Sequence, residues 1–421
     1  MNMKKKLIGM TLLAAILSGC VKDDKYEMSN FKSDIDIVFN GTTATVTGDT
    51  NGFVSVNGAD VTVNGANNTT ANMTITLSGS TSEGSLLVYN LRSYTIVLNG
   101  VSINNSDGPA INNQGNKALY INIADGTTNT LTDGTTYAPA PVNAKGDTID
   151  QKATLFSEGQ FYLRGNGTLN INANAKNAIA SDDYVVMENG NINISASNTG
   201  SNGIKVNDGF TIKGGTLNID VKADGARGIK NDARTAIEGG YLNITTSGGC
   251  KIETVNGVKD TTSCAGIKSD SLLLMSGGVV NIVSTGDGGK GINCSLNYEQ
   301  TGGTLYVTTT GKKTESSNPH AVKADANIIF TGGEAYVAST KKAFTCDGEL
   351  LINGGTIMGI GKKVSTPSAN STQAFKSYDE DEEIDVIGGK TLTIDGISYA
   401  IPSIYSCKDA YILVSSAHLN K

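Results

Sequence analysis

Gly214 Gly215 Thr216 Leu217 Asn218 Ile219 is answered 25 residues later by Gly239 Gly240 Tyr241 Leu242 Asn243 Ile244. The phrase is two glycines, a spacer, and an apolar, polar, apolar triplet. It returns at 277–282, 302–307, 332–337 and 354–357, and one-glycine copies stand at 167–171 and 190–194. A second phrase runs between the copies, a small residue followed by an apolar one and often lysine: Gly203 Ile204 Lys205, Gly228 Ile229 Lys230, Gly266 Ile267 Lys268, Ala321 Val322 Lys323. From residue 190 the last glycine of the first phrase advances by 25, 25, 38, 25, 30 and 22 residues; from 179 the apolar residue of the second advances by the same steps. A fixed period in this range belongs to solenoids, propellers and arrays. The β-branched, period-two character of the segments excludes helical repeats, and a propeller blade needs about 40 residues. Each repeat therefore fits one coil of a parallel β-helix with two or three short strands, an all-β fold.

This reading assigns a register. In Leu217 Asn218 Ile219 the apolar residues point inward and the asparagine outward. Coils stack about 4.8 Å apart, so the outward residues form a column: Asn170, Asn193, Asn218, Asn243, Asn281, Tyr306, Tyr336. Stacked amides satisfy one another in such ladders, while Tyr306 and Tyr336 are candidate ligand contacts. The second phrase gives the column Asp182, Asn207, Asp232, Asp270, Ser295, Asp325, Asp347, beside Lys205, Lys230, Lys268, Lys323 and Lys376. Stacked carboxylates repel unless cations intervene. Either the lysines neutralise them, or calcium does, with Asp224 and Asp287 on tight turns joining Asp232 and Asp270 respectively. The Gly-Gly-x-Gly-x-Asp nonapeptide of calcium β-rolls is absent from the sequence.

Lys4, Lys5 and Lys6 precede an apolar run, Leu7 to Leu17, of signal-peptide length. It ends in Leu17 Ser18 Gly19 Cys20, which resembles the lipobox of bacterial lipoproteins. Residues 1–19 are expected to be removed, Cys20 acylated, and 20–33 to form a tether on an outer-membrane lipoprotein exposed at the cell surface. Lys22 Asp23 Asp24 resembles an acidic surface-export tag and equally reads as solvated tether. Residues 34–100 read as a cap with first coils, 101–400 as the β-helix, and 401–421 as a C-terminal cap, with Gly388 Gly389 opening a final coil. Pro139 to Asp150 reads as a surface loop, and Ser377 to Asp385 as a solvated acidic one. A net charge of -7 with four arginines argues against nucleic acid as a partner.

The 38-residue step places an insertion between Cys250 and Cys264, which a disulfide would clamp. Cys294 and Cys346 fall two rungs apart on one inward column, too far for a bridge, and read as free thiols. The two histidines, His320 and His418, stand outside any nucleophile or zinc pattern and are expected at the solvent.

The run Val97 Leu98 Asn99 Gly100 Val101 Ser102 Ile103, the stretch Ala124 Asp125 Gly126 Thr127 Thr128 Asn129 Thr130 Leu131 Thr132 Asp133 Gly134, and Leu155 Phe156 Ser157 Glu158 Gly159 together resemble a family of bacterial extracellular carbohydrate-binding proteins similar in shape to pectate lyases. The resemblance covers roughly residues 74–400. It implies a right-handed, single-stranded parallel β-helix with calcium sites that binds plant-type polysaccharides such as cellulose and polygalacturonate. The chain is expected to be a monomeric polysaccharide-binding protein, with Lys205, Lys230 and Lys268 of the second column joining Tyr306 and Tyr336 as candidate ligand contacts. Two alternatives stand beside it: a calcium-dependent polysaccharide lyase with Arg227 as its base, and a structural or adhesive surface protein.

Overall fold

The computed structural model of the protein describes residues 32–50, 52–65, 72–143, 145–197 and 199–419. The expected signal peptide, Cys20 and the expected tether up to residue 31 lie outside the described residues. Among those described, no helix is long and apolar enough to cross a membrane.

The chain is all-β, and its parallel strands stack on three faces. The asparagine face carries the first phrase: Thr168–Ala173, Asn191–Ala196, Thr216–Val221, Tyr241–Thr246, Val279–Ser284 and Thr304–Thr309 pair parallel, rung upon rung, without slippage. The lysine face carries the second: Asn177–Ser181, Ile204–Val206, Arg227–Asn231, Ala265–Ser269, Lys290–Cys294, His320–Ala324 and Lys342–Cys346. A third, connecting face runs from Leu119–Ile123 through Phe161–Gly165 and Tyr184–Met187 to Tyr298–Gln300. Long strands such as Tyr94–Asn105 and Ile328–Ser339 run through the asparagine and connecting faces and join them into one 22-stranded sheet, while the lysine face is a separate 12-stranded sheet.

The core follows the register read from sequence. Ile194, Ile219, Ile244 and Ile282 lie on one another and are at most 3% exposed. The invariant second glycine has a conformational cause. Gly215, Gly240, Gly278 and Gly303 hold φ between 73° and 78°, and a Cβ on Gly240 would come within 2.8 Å of the backbone of the coil below. Only glycine fits a left-handed corner under that constraint.

Both ends are closed by antiparallel hairpins, which hide strand edges that would otherwise recruit further chains. At the N-terminal end Lys32–Gly41 pairs with Thr43–Thr47, and Val54–Asn57 with Asp60–Gly65. At the other end parallel stacking stops with Leu350–Gly361, well before residue 400. Its last residues pair antiparallel with Tyr411–Ser415, which also pairs with Phe375–Tyr378. Lys376 therefore leaves the column that the spacing assigned it and instead binds Asp395 at 2.8 Å. No final coil follows Gly388 Gly389. Thr391–Ile394 and Ile397–Ala400 form a hairpin around Asp395 and Gly396, both at positive φ, the Asp-Gly signature of a tight two-residue turn.

The 38-residue step is the antiparallel hairpin Lys251–Val255 and Val258–Thr262. Cys250 and Cys264 at its base are free thiols, so the expected disulfide is absent. The thiols part because Cys264 turns into the body, fully buried, whereas Cys250 Sγ lies 3.4 Å from Thr314 Oγ1 on a later turn. Cys294 and Cys346 are free, with Ala324 between them in register.

Candidate functional site: a loop-built groove beside three carboxylates

The segment 135–152 adds residues to an early coil, and both its ends are pinned. At its start Asp133, 1% exposed, accepts from the Asn174 backbone N–H at 2.5 Å and from the Tyr137 hydroxyl at 2.7 Å. At its end Asn112 Nδ2 and Gln114 Nε2 donate to the Asp150 carbonyl at 2.9 and 3.1 Å. Between these pins the segment arches over the turn at Ala175 and Lys176 and leaves an open groove of about 550 Å³, whose walls include Thr136, Tyr137, Asp150, Lys152 and Lys176. Hydroxyls, a tyrosine and charged groups of both signs line it, a mixture suited to a polar ligand with some apolar surface.

At one end of the groove three carboxylates converge. One oxygen each from Asp150, Glu158 and Asp182 lies within 4.8 Å of the others. Lys152 Nζ stands between two of them, 2.6 Å from Asp150 and 2.5 Å from Asp182. Burial, and then the charges of Asp182 and Asp150, push the Glu158 carboxyl up to about 7. The Glu158 carboxyl is therefore partly protonated near neutrality.

The residues singled out from sequence fall elsewhere. Lys205 pairs with Asp232, Lys230 bridges Asp232 and Asp270, and Lys268 reaches Asp270 at 2.8 Å, a continuous zipper up the lysine face. Burial would raise the Asp270 carboxyl, yet hydrogen bonds from Lys230 and Lys268 hold it well below the usual range. Asp224 accepts from the Gly249 N–H at 2.8 Å, and Asp287 from that of Lys312 at 2.7 Å, each stapling its turn to a later coil. Among the described residues, Asp224 and Asp232, or Asp287 and Asp270, form part of no three-ligand cluster; the self-neutralising arrangement is the one realised.

On the asparagine face the amides bond in series: Asn193 to Asn170 at 2.9 Å, Asn218 to Asn193 at 2.8 Å, Asn243 to Asn218 at 2.8 Å. Tyr306 and Tyr336 stack at 5.5 Å in that column but are roofed by Tyr399 of the C-terminal hairpin, itself 3% exposed. His320, expected at the solvent, is buried at 9% exposure. Arg227 is half-buried with its Nε unpartnered.

Sequence reasoning missed the carboxylate trio. Its signal lay in two segments already marked, the loop to Asp150 and the run Leu155 Phe156 Ser157 Glu158 Gly159, which only the coil brings together. It also missed an aromatic stack on the connecting face. Tyr120 and Tyr162 lie 4.8 Å apart, Tyr184 is edge-on to Tyr162, and the Arg164 guanidinium lies 4.6 Å from the Tyr120 ring centre.

Residues 57–232, 225–311 and 287–362 match the family described as carbohydrate-binding domain-containing protein, and the chain belongs to that family. A relative of the same description from Acetivibrio thermocellus is 32% identical over 125 residues, which is 29% of this chain and 42% of that protein. The match thus spans less than half of the relative's length. The solved structure of a polysaccharide lyase-like protein from C. thermocellum, a gadolinium derivative, is similar in fold, with a TM-score of 0.50 and 24% identity over 68% of this chain and 99% of that one.

Proposed function

We propose that this protein binds polysaccharide, plant-type or acidic, along a right-handed, single-stranded parallel β-helix, as a monomer held at the outer membrane by acylated Cys20 and facing the cell exterior. The observation that carries the binding is the groove under residues 135–152. There a member of a carbohydrate-binding family departs from its repeat and presents hydroxyl, tyrosine, lysine and carboxylate groups to solvent. Calcium belongs to the proposal, and the residues that fit it are Asp150, Glu158 and Asp182, which offer converging hard oxygen ligands. Lys152 balances part of their charge. Asp232 and Asp270 fit calcium poorly, being taken up by lysines.

The test is retention of the mature chain on insoluble cellulose and on immobilised polygalacturonate, with and without a chelator. We expect retention of the native chain and about tenfold weaker retention of the Tyr137→Ala, Lys176→Ala double variant; no retention of the native chain on any glycan overturns the reading. A calcium-dependent lyase is the second reading, favoured by a carboxyl poised near neutrality at the rim of the groove. It requires release of unsaturated uronides absorbing in the ultraviolet from polygalacturonate with calcium, and loss of that release on Glu158→Gln.

A further inference from the structure

Two columns of cations climb the lysine face side by side, and they are treated differently. Lys205, Lys230, Lys268 and Lys323 each meet an aspartate. The neighbouring column reads Arg227, Ala265, Lys290, His320, Lys342. Arg227 pairs in register with Ala265, Ala265 with Lys290, and His320 with Lys342, while Ile292 opposite Val322 sets Lys290 beside His320. Among the described residues, no carboxylate lies within ion-pair distance of Arg227, Lys290 or Lys342.

The column is also short of hydrogen-bond partners. Lys290 is 7% exposed, and its ammonium makes one hydrogen bond, to Ser317 Oγ at 2.8 Å, although it carries three donors. The Ser317 hydroxyl is itself committed to the Gly288 carbonyl at 2.6 Å. Arg227 Nε and His320 Nδ1 are buried without partners. Donors left unmade at Arg227 Nε and at the Lys290 ammonium are costly, and the charges of Lys323 and Arg227 oppose that of Lys290, with Asp325 offsetting them only in part. The strain registers in the titrations. Burial and then the Lys323 charge push the Lys290 ammonium down to about 8, and burial with the Lys290 and Lys342 charges pushes His320 down to about 4. The adjacent zipper shows that this fold supplies aspartates where cations are purely structural.

We infer that the column around Lys290, flanked by Arg227 and Lys342, is a binding site for an oxyanion, a carboxylate or sulfate group, which completes the donors of Lys290 and offsets its charge. The small side chain of Ala265 separates Arg227 from Lys290 by two rungs, about 9.6 Å, and Arg227 and Lys342 at the two ends are only half-buried. The group arrives either as a free anion or on an acidic glycan; only the second source rests on the glycan-binding reading.

The experiment follows the thermal midpoint of the full chain against sodium sulfate, with sodium chloride at matched ionic strength. Calorimetry with a galacturonic acid oligomer and a neutral cello-oligosaccharide then separates the sources. The native protein should show saturable stabilisation by sulfate, weakened about tenfold in the Arg227→Gln, Lys342→Gln double variant and unchanged in Lys268→Gln, which breaks only the zipper. Competition of the acidic oligomer with sulfate, without competition by the neutral one, establishes the glycan-borne group. Saturation by sulfate without competition by the acidic oligomer overturns that source and leaves a free-anion site. A sulfate effect that does not saturate, or that is equal in the native and double-variant proteins, overturns the site altogether, even where the protein is retained on insoluble glycan.

Discussion

The regular rungs and the inserted segments of this protein use their residues in opposite ways. In the rungs between Thr168 and Ser339 outward groups are spent on neighbours above and below: asparagine on asparagine, lysine on aspartate, tyrosine on tyrosine. The segment 135–152 is pinned to the coils at its two ends, bonds to itself around Asn143 and Asp147, and turns Thr136, Tyr137 and Lys152 toward an open groove. The hairpin 251–262 departs from the rungs in its own way: it projects from the body and pairs with itself. A solenoid gains stability by making every coil answer its neighbours, and a coil that has answered its neighbours has little left to offer a ligand. Glycan binding in the groove therefore belongs where the repeat is broken, and on the rungs only the column around Lys290 is left unanswered.

Stability should divide along the same line. Ile219 is 3% exposed in the central column, and Ile219→Ala should cost about 2–5 kcal/mol by urea titration. Replacing residues 251–262 with a short glycine linker should cost less than about 1 kcal/mol, since none of its described side chains is buried. Equal losses would break the distinction between body and insert.

A second expectation sharpens it within the segment that the family resemblance rests on. Asn129 is fully buried, and its Oδ1 accepts from the backbone N–H groups of Gly100 and Val101 at 2.8 and 2.9 Å. Asp133 in the same stretch anchors Asn174 and Tyr137. The most distinctive sequence of this chain thus acts as framework, holding one coil to the next and setting the start of the groove. Asn129→Ala strands the buried Val101 N–H and frees the exposed Gly100 N–H, and should destabilise by about 1–3 kcal/mol in the same titration, with glycan retention of the folded fraction unchanged.

The rungs could be read from sequence because a period of two within strands, and equal steps between them, leave a single register that buries Leu217, Ile219 and their copies. That register also put Asn193 beneath Asn218 and Asp232 beneath Asp270. It could not decide between lysine and metal for those aspartates, since the outcome turns on how far the Lys230 side chain reaches across a rung. Nor could it foresee the roof over Tyr306 and Tyr336, because Tyr399 comes from a hairpin outside the repeat. The arithmetic located the insertion at Cys250 but not the direction of its thiol, which the hairpin's own pairing sets. The groove was hidden for the same reason: Asp150, Glu158 and Asp182 come from a loop and two successive rungs, and no spacing rule links a loop of irregular length to the strand beneath it.

The smallest of the expected effects bears on the groove itself. Glu158 titrates near 7 in the folded protein against an ordinary value of 4.5, so between those values the native state holds more protons than the unfolded chain. Stability should then fall as pH rises across that window, by under about 1 kcal/mol because the half-buried carboxyl is partly screened by water. Glu158→Gln should remove this slope. A cation held by the trio favours the ionised carboxyl and lowers its titration. Millimolar calcium should therefore flatten or reverse the slope in the native protein and leave the variant unchanged, as read from thermal midpoints between pH 4.5 and 8. A slope that calcium does not alter would detach Glu158 from any metal and leave the groove to bind its glycan through Tyr137, Lys152 and Lys176.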